Sequence, residues 1–217
     1  MLRALLFDLD GTMTDSDPVH LAAFNAMLAI RGGSLSEADF RTKVSGKSND
    51  EIARALLPDA DAATRRTFNN EKEAMFRRMA SDLAETAGLT RLLDWAEERK
   101  LRLAIVSNAP ADNVTHMTEA LGIAHRFELV IHGDAVKHPK PDPFPYLEAL
   151  SRFGLTAAKA IAFEDSVPGI RAASGAGLAT VAIAGLGAVE PLKAAGATFA
   201  IRDFEDPALW AYLAERV

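Results

Sequence analysis

The sequence LLFDLDGTMTDSDPVH, residues 5–20, opens with an apolar run and then sets Asp8 and Asp10 two positions apart before a Gly-Thr turn. The apolar run does not alternate with polar residues, so it predicts a strand that is buried on both faces, as in a parallel sheet. Two acids that repel each other at the end of a buried strand require a chemical explanation.

The composition is typical of a globular protein with a sizeable core, since 49% of the 217 residues are hydrophobic and 25% are charged. A net charge of −6 gives no support for nucleic-acid binding, which usually shows a basic surface. The chain has no cysteine, which excludes disulfides and thiolate chemistry. No apolar run approaches the ~18 residues of a membrane span, and the first strand leaves no room for a signal peptide. We therefore expect a cytoplasmic protein with no membrane partner.

Short apolar runs alternate with amphipathic segments along most of the chain. Segments with helical spacing, such as residues 89–100 and 146–154, lie between the runs. This alternation predicts an α/β fold, with a doubly wound parallel sheet that is Rossmann-like in its core. The predicted strands are ALLF (4–7), LAIV (103–106), LVI (129–131), AIAF (160–163), TVAI (180–183) and an edge strand within 196–217.

One long segment, residues 16–84, contains helical stretches but no convincing strand. It follows the first predicted strand directly, so it would lie over the carboxyl ends of the strands, where open α/β sheets bind ligands. We therefore predict two domains. Residues 1–15 and 85–217 would form the α/β catalytic core, and residues 16–84 would form an all-helical cap inserted into it.

Polar side chains follow several predicted strands, and all these strand ends would meet at one edge of a parallel sheet. The loop HPKPDPFPY, residues 138–146, adds a lysine among alternating prolines. Such a carboxylate cluster would be costly without a cation, and all-oxygen ligands favour Mg²⁺. One aspartate could attack phosphorus while the other handles the proton. The residues in this expected cluster are Asp8, Asp10, Ser107, Asn108, Lys140, Glu164 and Asp165.

These motifs, in this order, resemble those of the haloacid dehalogenase superfamily, whose members are mostly Mg²⁺-dependent phosphatases and phosphomutases. Asp8-Leu9-Asp10-Gly11-Thr12 is similar to the first motif, and Ser107 to the second. Lys140 is similar to the third motif, and Glu164-Asp165 to the fourth. The helical insert resembles the cap of the subgroup that includes β-phosphoglucomutase and many small sugar phosphatases.

The resemblance implies a role for each residue in the core motifs. Asp8 would be the nucleophile that forms an aspartyl-phosphate, and Asp10 would be the acid and base. Asp8, Asp165 and the backbone carbonyl of Asp10 would hold Mg²⁺, with Glu164 in or near the metal shell. The residues expected at the phosphoryl oxygens are Ser107, Asn108 and Lys140. The cap residues expected to face the rest of the substrate are His20, Lys47, Asn49 and Lys72.

The third motif fits in two registers. In one, Lys140 opens Lys-Pro-Asp-Pro and Tyr146 follows six residues later; in the other, His138 stands at the lysine position and Phe144 is the aromatic residue. Only the first register supplies a permanent cation, so we predict Lys140.

The resemblance is compatible with several enzyme activities. We expect a phosphatase that acts on a small phosphorylated metabolite, such as a sugar phosphate. The alternative is a β-phosphoglucomutase-type phosphomutase. In that enzyme a cap arginine reaches the distant phosphate, whereas Asn49 stands at the corresponding position here. Lys47 is a possible substitute, but a point charge lacks the bidentate grip of arginine.

Three other activities are disfavoured by the same residues. A haloacid dehalogenase needs neither Mg²⁺ nor a second acid, so Asp10 and Asp165 argue against it. A phosphonate hydrolase would lack an acid at position 10. A non-catalytic binding protein on this fold would be expected to lose Asp8 or Asp10, and the chain keeps both. The sequence marks no oligomer interface.

Overall fold

The computed structural model describes residues 1–216, and its centre is a six-stranded sheet in which all pairings are parallel. The strand order is β3-β2-β1-β4-β5-β6, so the chain reverses its direction of growth at β1. The predicted doubly wound α/β fold is therefore confirmed. The strands are β1 (Ala4–Phe7), β2 (Arg102–Val106), β3 (Leu129–Ile131), β4 (Ala160–Glu164), β5 (Ala179–Ile183) and β6 (Phe199–Ile201).

The helices occupy the segments between the strands. None within the described residues combines the length and the apolar character needed to cross a bilayer. They are α1 (Asp17–Ala29), α2 (Glu37–Lys43), α3 (Asn49–Leu56), α4 (Ala62–Met79), α5 (Leu89–Glu98), α6 (Ala111–Ala120), α7 (Phe144–Phe153), α8 (Val167–Gly175), α9 (Val189–Ala194) and α10 (Pro207–Ala214).

The central strand β1 is buried on both faces, which explains its uninterrupted apolar sequence. On one face Leu5 and Phe7 belong to a cluster with residues of α5, α6 and α10. On the other face Leu6 lies among alanines of the neighbouring strands, and α7 and α8 pack there. The sheet is therefore covered by helices on both sides, and only its strand ends remain to build a site.

Helices α1 to α4 carry an apolar cluster of their own, formed around Phe24, Phe40 and Phe68. Residues 16–84, all of which the structure describes, contain helices and turns but no strand. The division of the chain into a core and a cap at these boundaries stays a prediction, which the separate cluster supports.

The two connections between this helical insert and the sheet run side by side. Thr14 forms a bridge with Glu85, and its hydroxyl donates to the carbonyl of Ala84 at 2.7 Å. The backbone N–H of Thr86 donates to the carbonyl of Met13 at 2.7 Å. The entry and the exit of the insert are thus fastened to each other beside β1.

The stacked pair Phe7 and Phe163 gives a test of the core, because their ring centroids lie 4.8 Å apart in the middle of the sheet. Phe7→Ala should lower the free energy of unfolding by ~3–5 kcal/mol, through lost burial and the cavity left behind. Phe144→Ala is the matched control, since Phe144 is 37% exposed and should cost below ~1 kcal/mol. Urea unfolding followed by circular dichroism measures both, and equal losses would contradict this account of the core.

Candidate active site

The carboxyl ends of β1 and β4 bring three carboxylates together, as the parallel topology predicts. Oxygen atoms of Asp8, Glu164 and Asp165 all lie within 4.8 Å of one another. The ammonium of Lys140 reaches this cluster from the loop before α7 and lies 2.7 Å from Asp8 Oδ1. Lys140 also donates to Glu164 Oε1. The cluster combines three of the four acids that the motifs suggested with the lysine of the third motif.

Glu164 is the most enclosed member of the cluster, with no exposed surface. Its Oε1 accepts from Lys140 and from the hydroxyl of Tyr146, the latter at 2.6 Å. Its other oxygen, Oε2, is buried without a hydrogen-bond partner in the part of the chain that the structure describes. A buried carboxylate oxygen is costly to leave unpaired, so this atom favours a cation in the cluster.

The loop that carries Lys140 adopts the predicted register of the third motif. Lys140 is 2% exposed, whereas His138 and Phe144 face solvent. Asn108, at the end of β2, fixes this loop: its Oδ1 accepts from the Lys140 N–H at 3.0 Å and its Nδ2 donates to the Lys140 carbonyl at 3.1 Å. The side chain of Asn108 therefore holds the lysine loop. Its expected contact with phosphate stays a prediction.

The buried charges shift one another's ionisation. Burial, reinforced by the negative charge of Glu164, raises the pKa of Asp8 from 3.8 to about 7, although Lys140 opposes the shift. Burial also raises the pKa of Asp165 well above its usual value, with Asp8 and Glu164 adding to the effect. Burial alone would lower the pKa of Lys140, but the charges of Asp8 and Glu164 raise it, so this lysine stays a cation. One lysine does not offset three acids, and a further cation would restore the charged form of Asp8.

The turn after Asp10 brings β1 close to Asp165. Gly11 has a φ of +79°, and a Cβ at this position would lie 2.2 Å from Asp165 Oδ2. The next residue, Thr12, donates its hydroxyl to Asp8 Oδ2 at 3.2 Å. Glycine is thus needed here both for the backbone conformation and for the space that Asp165 occupies.

Asp10 has a different environment from Asp8. Its Oδ1 accepts from Ser16 Oγ at 2.6 Å and lies 3.0 Å from His20 Nε2. Burial alone would raise the pKa of Asp10, but the hydrogen bonds from His20 and Ser16 and the positive charge of Lys72 hold it below its ordinary value. Two aspartates that are two residues apart therefore have pKa shifts of opposite sign.

A chain of polar contacts leads from Asp10 into the helical insert. The ring of His20 stacks on Phe76, with centroids 3.8 Å apart, and its Nδ1 lies 3.2 Å from Lys72 Nζ. Since an ammonium can only donate, Nδ1 is the acceptor, and Nε2 carries the proton that it donates to Asp10. Lys72 is paired with Glu73 at 2.8 Å. The structure thus brings two of the predicted cap residues, His20 and Lys72, to Asp10.

The pocket between the sheet edge and the insert is lined by every predicted site residue except Asn49 and Glu164. Asn49 begins α3, and its carbonyl accepts from Asn69 Nδ2 at 3.0 Å. Lys47 lines the pocket, but its ammonium donates to the carbonyl of Thr42. Substrate contacts by these two residues stay predictions.

Several residues of the site were not singled out from the sequence. Ser16 could have been suspected, because its hydroxyl lies four residues beyond the first motif. Glu73 lies in the charged stretch NNEKEAMFRRM, residues 69–79, a pattern typical of a solvated helix face. Asp17, Phe40 and Val44 line the pocket as well, but nothing in the sequence distinguished them from other cap residues.

Comparisons with known proteins support the same interpretation of the motifs. A family model described as haloacid dehalogenase-like hydrolase matches residues 5–183. N-acetylmuramic acid 6-phosphate phosphatase of Pseudomonas putida is 33% identical over 186 residues, which cover 84% of this chain and 82% of the relative. Phosphoglycolate phosphatase of Xanthomonas campestris is 35% identical over 182 residues, which cover 83% of this chain and 82% of that relative. The crystal structure of CbbY from Rhodobacter sphaeroides in complex with phosphate superposes with a TM-score of 0.86 at 27% identity, over 95% of this chain and 96% of that chain.

The close approach of Gly11 to Asp165 gives a test of the cation site. Gly11→Ala should displace the Asp165 carboxylate and weaken Mg²⁺ binding at least ~10-fold, the lower end of the effect seen when the support of a metal ligand is lost. Gly32→Ala is the matched control, because Gly32 has a φ of +70° but no atom of residues 1–216 lies within 4 Å of an added Cβ. Both changes carry a similar backbone strain of ~1–2 kcal/mol. Calorimetric titration with MgCl₂ measures the affinity, and equal weakening in the two variants would contradict the assignment.

Proposed function

The chain belongs to the haloacid dehalogenase-like hydrolases, as its four motifs predicted, and we propose that it is a Mg²⁺-dependent phosphatase acting on a small phosphorylated metabolite through an aspartyl-phosphate. A sugar phosphate is the proposed substrate class. The relatives named as phosphatases support a phosphoric monoester hydrolase. The observation that carries the mechanism is the pair Asp8 and Asp10: both line one pocket, one beside a buried lysine and the other beside a histidine, with opposite pKa shifts.

The donor set fits Mg²⁺, because it offers oxygen atoms alone. One of its members, Glu164, also has a buried oxygen without a hydrogen-bond partner among residues 1–216. Asp8, Asp165 and the backbone carbonyl of Asp10 would hold the ion, with Glu164 beside them. Bound there, Mg²⁺ would polarise a phosphoryl oxygen and offset the negative charge of the transferred group.

The chain's own residues divide the proposed reaction into two transfers. In the first, a carboxylate oxygen of Asp8 bonds to phosphorus while the bond to the ester oxygen breaks and Asp10 gives that oxygen a proton. In the second, water attacks the same phosphorus and Asp10 takes its proton, which releases phosphate and restores Asp8. Lys140 and the Ser107 hydroxyl would hold the phosphoryl oxygens throughout. The lowered pKa of Asp10 favours the second transfer, in which it acts as a base.

The cations that line the pocket favour hydrolysis over a mutase reaction. A phosphomutase must bind an intermediate with two phosphates, which requires cationic or donor groups at both ends of the pocket. Beyond Lys140, the lysines that line the pocket are Lys47 and Lys72. Lys72 is paired with Glu73, and Lys47 donates to a backbone carbonyl. Asn49, at the position of the mutase arginine, does not line the pocket.

The activity is tested with purified protein, with and without Mg²⁺, on a panel of sugar phosphates, phosphoglycolate and β-glucose 1-phosphate. Free phosphate and glucose 6-phosphate are followed separately. We expect Mg²⁺-dependent release of phosphate, with sugar phosphates as the best substrates. Glucose 6-phosphate formed from β-glucose 1-phosphate without matching phosphate release would instead establish the mutase.

Replacing the nucleophile tests the covalent mechanism. Asp8→Asn should reduce kcat by at least ~1,000-fold, because an amide is a poor nucleophile, while the fold survives. Asp59→Asn serves as the control, since Asp59 is exposed in the loop between α3 and α4. Rates come from phosphate release, and folding is checked by circular dichroism. A near-normal rate for Asp8→Asn would rule out the aspartyl-phosphate.

A further inference from the structure

A buried polar contact joins the helical insert to the core, and its two partners, Glu73 and Asn113, line the same pocket as Asp10. Asn113, on core helix α6, donates through Nδ2 to Glu73 Oε2 at 2.6 Å. Its Oδ1 accepts from Arg77 NH1 at 2.7 Å. Glu73 and Arg77 lie one turn apart on α4, so the amide of Asn113 bridges an acid and a base of the same insert helix.

The hydrogen-bond donors and acceptors in this contact match in only one orientation of the Asn113 side-chain amide. Turning the Asn113 amide over would set its NH₂ group against the guanidinium of Arg77 and its oxygen against the carboxylate of Glu73. Asn113 is 1% exposed and Glu73 is 5% exposed. While the insert packs on the core, water therefore cannot supply hydrogen bonds to mismatched groups in this contact. The contact therefore fixes one orientation of the Asn113 amide between Glu73 and Arg77.

The same carboxylate connects the contact to the acid and base of the site. Glu73 Oε1 accepts from Lys72 Nζ at 2.8 Å, and Lys72 in turn contacts His20. The charge of Lys72, with its hydrogen bond, holds the pKa of Glu73 below its ordinary value against the opposing effect of burial. Asn113 is thus the core end of a continuous chain that passes through Glu73, Lys72 and His20 to Asp10.

We propose that Asn113 is a positioning residue for the reaction, which through Glu73 holds Lys72 and His20 in place against Asp10 when the insert is closed on the core. The proposal rests on the function proposed above, because it assigns the proton transfer to Asp10. The bonds that join α4 to α6 here are polar, so water can replace them when the insert swings away. Closure would therefore complete the site and form this polar contact together with the apolar packing of Phe76 against the core.

Exchanging the charges across the contact tests the proposal. Glu73→Gln alone sets an NH₂ group against the NH₂ group of Asn113, and Asn113→Asp alone sets two carboxylates against each other. In the double variant E73Q/N113D the new amide donates to the new carboxylate, which still accepts from Arg77, and the amide oxygen still accepts from Lys72. Asp112→Asn is the control, because Asp112 is 80% exposed and lies 3.8 Å from Arg77.

The first readout is steady-state phosphatase kinetics with the best substrate of the panel. Each single variant should lower kcat ~10-fold with KM changed less than ~2-fold, since misplaced catalytic groups cost rate rather than binding. The double variant should recover to within ~3-fold of the parent rate. Unchanged kcat in the single variants, or a double variant no better than the worse single one, would overturn the proposal.

The second readout does not depend on turnover. The ¹⁵N chemical shifts of the His20 ring, assigned by comparison with His20→Gln, report which nitrogen carries the proton. We expect the Nε2–H form in the parent protein and in the double variant, and a mixture of forms in each single variant. One unchanged form in all variants would overturn the proposal even if the protein hydrolysed no phosphate ester, whereas a shift that the double variant reverses would uphold the positioning contact independently of the substrate.

Discussion

The structure depends on holding three carboxylates and one ammonium together at the end of a buried strand. Removing such charges from water costs several kcal/mol per ion unless each finds partners. Lys140 supplies bonds to Asp8 and Glu164, and the Tyr146 hydroxyl supplies another to Glu164. The apolar strands of the sheet place these charged groups side by side. The hydrogen bonds and ion pairs among the groups then stabilise them in that buried position.

The surroundings of this cluster restrict which residues fit beside it. A Cβ on Gly169, in the first turn of α8, would lie 1.9 Å from Glu164 Oε2, and a Cβ on Gly11 would meet Asp165. A Cβ on Gly46, in the insert, would lie 2.6 Å from Ser166 Oγ, where the insert approaches α8. Small residues thus surround the acids on several sides. The close fit leaves the orphan oxygen of Glu164 no room to turn toward water.

The fold was predictable because the sequence patterns that indicate strands and helices are local. Part of the site was not predictable from the sequence. Uninterrupted apolar runs identified the strands, and parallel topology then required their polar ends to meet. The short helix α9 escaped notice because six residues containing Pro191 show no clear periodicity. The role of Asn108 and the contact between Glu73 and Asn113 depend on how separate segments pack against each other. That packing cannot be predicted from one sequence, because Asn108 and Lys140 lie 32 positions apart and Glu73 and Asn113 lie 40 positions apart.

The paired connections at Thr14 and Thr86 have a consequence for the evolution of the protein. The two ends of the insert are hydrogen-bonded to each other beside β1. The segment between them is therefore a closed loop attached to the sheet at one place, whatever its length. The entropy of closing a loop grows only slowly with its length, so insertions, deletions and exchanges between these threonines disturb β1 little. New leaving groups can be accommodated by variation within residues 17–79 outside His20, Lys72 and Glu73, while these three residues and the carboxylates and lysine at the strand ends stay unchanged. Specificity and chemistry can therefore diverge at separate rates in one chain.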